Sequence, residues 1–496
     1  MEKQVDILIV GAGISGIGIA AHLSKNNPNR KFDIIERRKS YGGTWDFFKY
    51  PGIRSDSDMS TFGYNFKPWQ KPNVLADGAS IKGYLGEVVD EYNIKDKIHF
   101  EHRVLAANYD SIAKKWIVQI EDAHQKQQTW IANFVLGCTG YYNYDQGFQP
   151  NFPNQEAFKG QIIHPQFWPE NLDYAGKKIV IIGSGATAIT LVPALAKSGA
   201  GHVTMLQRSP TYIASVPSID FAYEKMRKYL PEDVAYKLTR ARNIGFQRGI
   251  YALAQKQPKL LKNILLKAIK MQLKGKVDMK HFTPNYNPWD QRLCVVPDGD
   301  LFKILRSGQA SVETDHIEKF TETGIQLKSG KHLEADIIVS ATGLEVQILG
   351  GIKGTIDGKA LDTSKSMLYH GVMVSDVPNM AMIIGYINAS WTLKVDVAAD
   401  YICRLLKYME QNGFDEVIPK GDQTQLLEDT VMGGLNSGYI ARAADVMPKQ
   451  GKNEPWKISN NYYSDRKELK NAKFDDGVLQ FQKRDPQDSR KPKLVS

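Results

Sequence analysis

The sequence predicts an α/β chain with two Rossmann-like dinucleotide-binding domains and a helical insertion in the second. Three observations predict it. The apolar run Val5–Val10 leads directly into Gly11-Ala-Gly-Ile-Ser-Gly16. A second run, Lys178–Ile182, leads into Gly183-Ser-Gly-Ala-Thr-Ala188. Between 215 and 285 the pattern becomes mostly helical. Short unbroken apolar runs suit parallel strands covered on both faces. Each is followed by the glycine spacing that opens a nucleotide-binding helix.

Length and composition narrow the class. A chain of 496 residues holds two or three domains. Its 42% hydrophobic and 24% charged content is that of an ordinary globular protein, so no extended disorder is expected before the C-terminus. Cys138, Cys294 and Cys403 form no CxxC pair, which argues against structural zinc and a redox-active disulfide. So few cysteines fit a reducing, cytoplasmic compartment. Residues 1–4 run straight into the first strand, so no signal peptide is expected. No apolar run approaches the roughly 18 residues of a spanning helix. The net charge of +10 raises nucleic acid and membrane surfaces as partners. The Lys and Arg read as dispersed, with no accompanying motif, so nucleic acid is not expected. No metal site is expected.

In the first unit, Gly11 permits a tight turn and Gly13 lets a pyrophosphate approach the backbone. Gly16 lets the next helix pack on the strand. That helix begins near Ile14, so the N–H groups of its first turn, Ser15 included, face the phosphates. The second strand, Lys31–Ile35, ends at Glu36, 20 residues after Gly16, where a carboxylate can accept from a ribose diol. Strand, turn, helix, strand and acid together predict FAD. Ser80–Tyr92 has helical core spacing. Ile98–Tyr109 and Trp116–Ile120 are expected as strands of a small sheet. Phe134–Gly140 is a strand with a Thr-Gly turn that hands the chain over.

The second unit repeats the turn with Gly183, Ser184, Gly185, Ala186, Thr187, Ala188 and Ile189 as candidate contacts. Its second strand, His202–Leu206, ends in Gln207 and Arg208. A carboxylate there would repel a 2′-phosphate; a neutral Gln does not, and Arg208 offers a planar cation. NADPH is therefore expected over NADH. In the insertion, Leu260, Leu261, Ile264, Leu265, Ala268 and Ile269 form one face. Lys259, Lys262, Lys267, Lys270 and Lys274 lie mostly off it. This is the pattern of a helix packed over the domain, or of one lying peripherally on a membrane.

Between the two turns, Phe158, Gly160, His164, Trp168 and Pro169 are spaced as Phe-x-Gly-x-x-x-His-x-x-x-Trp-Pro. This stretch resembles the fingerprint of type I Baeyer–Villiger monooxygenases. Gly42–Asp46, Tyr50–Met59 and Asn287–Cys294 are most similar to the ethionamide-activating branch. The resemblance covers Val5 to Asn461. It implies that Thr44, Trp45, Asp46 and Phe47 run along the flavin, with Arg54, Ser55 and Asp56 close by. The backbone of Val104 would meet the adenine, and Tyr141, Tyr142 and Trp391 are candidates for the active-site wall. Arg292 would be the catalytic arginine and Asp56 its partner. One departure is Gln291, where many such enzymes carry a lysine that helps hold the 2′-phosphate. His164 and Trp168 are expected to anchor the linker rather than move protons. By resemblance, a C4a-peroxyflavin would convert ketones to esters or lactones and oxygenate thioethers and thioamides, with O2 and NADPH as co-substrates. The alternatives are an N- or S-oxygenating flavin monooxygenase with little ketone activity, and a slow flavoprotein sensor or binding protein. The expected organisation is a first FAD-domain segment (1–145), then the linker and first NADPH-domain segment (146–214). The insertion (215–285) follows, then the second NADPH segment (286–340), the second FAD segment (341–475) and a flexible tail (476–496).

Overall fold

The computed structural model describes residues 2–434 and 438–485. The first strand, Glu2–Val10, starts three residues before the apolar run because Glu2, Lys3 and Gln4 pair with Thr129, Trp130 and Ile131. It lies inside a large sheet, parallel to Phe32–Ile35 on one side and to Gln127–Gly137 on the other. Helix Ile14–Asn26 packs on helix Trp391–Asn412, which the chain supplies only after it has left and re-entered this domain.

The expected strand Ile98–Tyr109 is split in two. Ile98–His99 pairs with Ile34–Ile35, whereas Arg103–Asp110 pairs antiparallel with Lys115–Glu121. The break lies at Glu101, whose φ is +57°. There the Glu101 N–H donates to the Arg38 carbonyl and the His102 N–H to that of Glu36. Nor is the small sheet separate: Lys115–Glu121 continues onto Gln127–Gly137.

The second domain is a five-stranded parallel sheet in the order Ala310–Thr314, His202–Gln207, Lys178–Ile182, Ile337–Ser340, Gln161–Ile163. Its edge strand comes from the Phe158–Pro169 stretch itself. The insertion comprises helices Phe221–Met226, Glu232–Lys256 and Pro258–Leu273. It is framed by Ile213–Val216 and Cys294–Pro297, which pair with each other. Strand Met380–Met382 then returns beside Val135–Gly137. The stretch expected as a tail from 476 contains a strand, Leu479–Gln482, that pairs with Glu416–Pro419; Leu479 is buried in the core beside Val417. Ser489–Lys493 lies outside the described residues.

The chain passes between the domains twice, and the two crossings, Tyr142–Gly147 and Leu344–Val346, pair antiparallel. His164 sits on this junction with 6% exposure. Its Nδ1 accepts from the Gln166 N–H at 3.2 Å, so the proton is on Nε2, which donates to the Gly343 carbonyl at 3.3 Å. Burial lowers its pKa, in keeping with a neutral ring. Gly160 is required nearby: a Cβ there would lie 2.3 Å from the Asp336 carbonyl oxygen.

A Cβ on Gly147 would lie 2.2 Å from the His164 ring. Gly147→Ala is expected to destabilise the chain by roughly 1–3 kcal/mol, the usual cost of overpacking. Added His164→Ala should recover part of that loss in thermal unfolding. An unchanged midpoint for Gly147→Ala alone would show that His164 does not wedge the crossings.

Candidate active site

Both glycine turns open onto one cavity of about 1040 Å³. Gly11 has φ +104°, and a Cβ there would lie 2.7 Å from the Cys138 carbonyl oxygen. Gly183 repeats this at φ +142°, 2.3 Å from the Ala341 carbonyl oxygen. Cys138 and Ala341 each precede a Thr-Gly pair, so the two turns abut matching returns. Only glycine fits such positions. Gly185 is different: a Cβ there would meet no protein atom within 4 Å. That space is bounded by the start of helix Ala186–Lys197, where free N–H groups favour an anion.

Glu36 is buried and accepts the N–H of Ala12 at 2.8 Å and that of Arg38 at 2.9 Å. Burial pushes its pKa up despite those bonds. A carboxylate has about four acceptor directions, so capacity remains for a ribose diol. Arg37, His102, Arg103 and Val104 complete this end of the wall. The Ser15 hydroxyl accepts from the Trp391 indole at 2.7 Å, and Trp391 stacks on Tyr141 at 5.5 Å. The Thr44 hydroxyl lies 3.3 Å from that of Tyr144, and Trp45 meets Phe62 edge-on. These contacts fix a polar and aromatic wall between the two turns.

Six of the expected cofactor contacts lie off the cavity wall: Gly16, Asp46, Phe47, Ala188, Ile189 and Gln207. Gly16 and Ala188 are helix-packing positions, and Ile189 is core. Asp46 is buried and paired with Arg38 and Lys82, each at 2.6 Å. Burial raises its pKa, but these cations outweigh it and the net shift is downward. Phe47 stacks on Tyr144 at 4.4 Å under the Arg38 guanidinium. The Gln207 amide donates to the His281 carbonyl at 2.7 Å and to the Thr314 hydroxyl at 2.8 Å. Gln207 thus turns inward, while Arg208 stands exposed on the wall without an ion-pair partner among the described residues.

Near the centre, Arg292 reaches Asp56 at 3.5 Å. That is ion-pair distance but long for a hydrogen bond. The Arg292 Nε is buried with no partner among the described residues. The Tyr141 phenol beside it raises its pKa; burial opposes this, and Tyr439 and Asp56 reinforce the charged form. Arg54 pairs with Asp300 at 3.5 Å, and its second terminal nitrogen is likewise buried and unpartnered among the described residues. Ser55 is committed locally, donating to the Ser57 carbonyl at 2.5 Å. Burial pushes the Tyr50 phenol up to about 12, with the Thr187 side chain opposing the shift.

Three wall or partner residues had no sequence signal. Tyr439 lies by Arg292, Arg442 stacks over Phe148 at 3.4 Å, and Asp300 pairs with Arg54. All three reach the site from distant segments without a local motif.

Residues 2–420 match the model of a family described as flavin-binding monooxygenase-like. The chain belongs to this family. Among its relatives, the probable FAD-binding monooxygenase AlmA of Acinetobacter baylyi is 81% identical over the whole of both chains. The FAD-containing monooxygenase EthA of Mycolicibacterium smegmatis is 51% identical, over 97% of this chain and 98% of its own. The putative FAD-containing monooxygenase MymA of Mycobacterium tuberculosis is 50% identical over the same shares. In fold, this flavin-binding monooxygenase-like chain is similar to a steroid monooxygenase bound to NADP, with TM-score 0.76 at 19% identity over 97% and 99% of the two chains. It is equally similar to OTEMO in complex with FAD and NADP, with TM-score 0.76 at 18% identity over 96% and 99%.

Gly185 gives a test of the second turn that the fold itself does not complicate. Gly185→Ala is expected to shift stability by less than about 0.5 kcal/mol, as at an open surface site. It should weaken dinucleotide binding at this turn roughly tenfold or more, because the methyl enters the space a pyrophosphate would fill. Equal binding by titration calorimetry would remove Gly185 from the cradle.

Proposed function

We propose that the chain is an FAD- and NADPH-dependent Baeyer–Villiger monooxygenase that converts ketones to esters or lactones and oxygenates the sulfur of thioethers and thioamides. The observation that carries this reading is the Arg292 guanidinium, set on the wall of the cavity shared by both glycine turns, with its Nε unpartnered among the described residues. When bound, reduced FAD supplies the activation of O2.

The protein's own groups supply position and charge. The first turn, the start of helix Ile14–Asn26 and Glu36 would hold the pyrophosphate and ribose of FAD. The second turn would hold the pyrophosphate of NADPH, and Arg208 its 2′-phosphate. Gln207 puts no carboxylate at the strand end itself, although Asp315 lies on the wall nearby, and Gln291 on the wall supplies no cation of its own. Arg292 would then face the oxygen on which negative charge grows as a ketone carbonyl is attacked. A permanent cation there stabilises that charge more in the transition state than in the ground state. Asp56 and the phenols of Tyr141 and Tyr439 would fix its orientation.

Arg292→Ala is expected to retain its flavin spectrum and lose ester formation from a methyl ketone roughly 100- to 1,000-fold, the scale of losing one oxyanion donor. Unchanged ester formation would sink the assignment. Sulfoxide formation without ester in the unaltered enzyme would favour an N- or S-oxygenating monooxygenase instead. Arg208→Ala should raise KM for NADPH roughly tenfold or more while leaving KM for NADH nearly unchanged, in line with one lost charge-assisted phosphate contact. Equal effects on both cofactors would take Arg208 out of the 2′-phosphate site.

A further inference from the structure

The positive charge is not dispersed, contrary to the sequence-based expectation. Residues 215–285 hold 15 of the 64 Lys and Arg but only 5 of the 54 Asp and Glu, so the insertion alone carries the whole chain's +10. Helix Pro258–Leu273 contains no acidic residue. Lys259, Lys267, Lys270, Lys274 and Lys276 are exposed, with no ion-pair partner among the described residues.

The apolar face of this helix is also divided. Ile269 and Leu273 share a core with Ile213, Cys294 and Val296, the last two on the strand that follows Arg292, and Leu261 is also buried. Leu260 and Ile264 point elsewhere, each 50% exposed, and Met271 is 63% exposed. Spacings of four and seven residues put these three on one outward stripe. Lys267, Lys270 and Lys274 lie along one side of it. The apolar arc is thus wider than the core can cover, and its surplus sits in a basic border.

We propose that this outer face docks on an anionic lipid bilayer. Lysines beside the stripe suit acidic headgroups, and the three apolar side chains suit the boundary beneath them. Nucleic acid would account for the lysines but gives no reason for exposed Leu260, Ile264 and Met271. The helices of the described residues are too short or too polar to cross a membrane, so the contact is peripheral. The inference does not depend on the reaction assigned to the cavity.

The test is co-sedimentation of the flavin-loaded full chain with vesicles of phosphatidylcholine, alone or mixed with phosphatidylglycerol. Binding is expected only to the mixed vesicles. Replacing Lys267, Lys270 and Lys274 by Gln should weaken it roughly 100-fold, at about fivefold per lysine. Leu260→Ser with Ile264→Ser should weaken it roughly tenfold or more. These positions are exposed, and unchanged flavin content will confirm folding. Ile264→Trp should shift its emission to the blue when mixed vesicles are added. No binding to mixed vesicles would overturn the proposal, as would binding that both sets of replacements leave intact. It also fails if duplex DNA or RNA binds with the same lysine dependence while vesicles do not, or if the apolar replacements abolish a dimer rather than lipid binding.

Discussion

The cavity depends on one steric constraint, the closure of the double crossing between the domains. Two glycine turns far apart in sequence face one space because Tyr142–Gly147 and Leu344–Val346 run side by side. His164 fills the gap that Gly147 leaves and holds the Gly343 carbonyl. The same stretch contributes Gln161–Ile163 as an edge strand, so the junction is covalently continuous with the second sheet. A neutral imidazole suits this place better than a charged one, since the pocket offers a carbonyl and an N–H but, among the described residues, no counter-charge. The histidine of the Phe158–Pro169 stretch thus sits at the junction of the two domains and off the cavity wall.

Charge in the cavity is arranged differently. Arg292 and Arg54 each have a carboxylate at ion-pair distance, and each keeps a buried nitrogen unpartnered among the described residues. Such orphan donors are costly in a finished core and make sense where a ligand completes them. Arg38 also keeps its Nε unpartnered among the described residues, but its terminal nitrogen is tied to Asp46 at 2.6 Å and its guanidinium lies over Phe47, off the cavity wall. What separates Arg292 and Arg54 from Arg38 is that an unpartnered donor and a place on the cavity wall coincide in them.

This also shows what was legible in the sequence. The glycine turns were readable because their requirements are local: a positive φ at Gly11 and Gly183, and a close approach of helix to strand at Gly16. Glu36 was readable because a strand end fixes where its side chain can reach. Gln207 occupies the corresponding position, but its amide is drawn inward by the His281 carbonyl and Thr314, from segments 74 and 107 residues away. Phe47 and Asp46 lie next to Trp45, and a four-residue helix turns them to its far side. Tyr439 and Asp300 could not be found, since no spacing rule links them to Arg292 or Arg54. The break at Glu101 was hidden for the same reason: it is imposed by the backbone of Glu36 and Arg38.

The two kinds of positive charge in the molecule therefore have separate origins. Outside the insertion the chain has 49 basic and 49 acidic residues, so the rest of the chain adds no net charge to attract an anion. Short-range elements at the cavity itself favour an anion: helix starts at the two turns, Arg208 without an ion-pair partner among the described residues, and Arg292. The insertion has the reverse character, with a large unpaired charge and no helix start facing the cavity wall among the described residues. Salt would screen its exposed lysines strongly and the enclosed cavity contacts much less. The helix joins the two through its buried side, where Ile269 and Leu273 share a core with Cys294 and Val296 on the strand that carries the chain on from Arg292. The helix and the cavity wall are thus linked by packing, since Cys294 belongs to both that core and the wall.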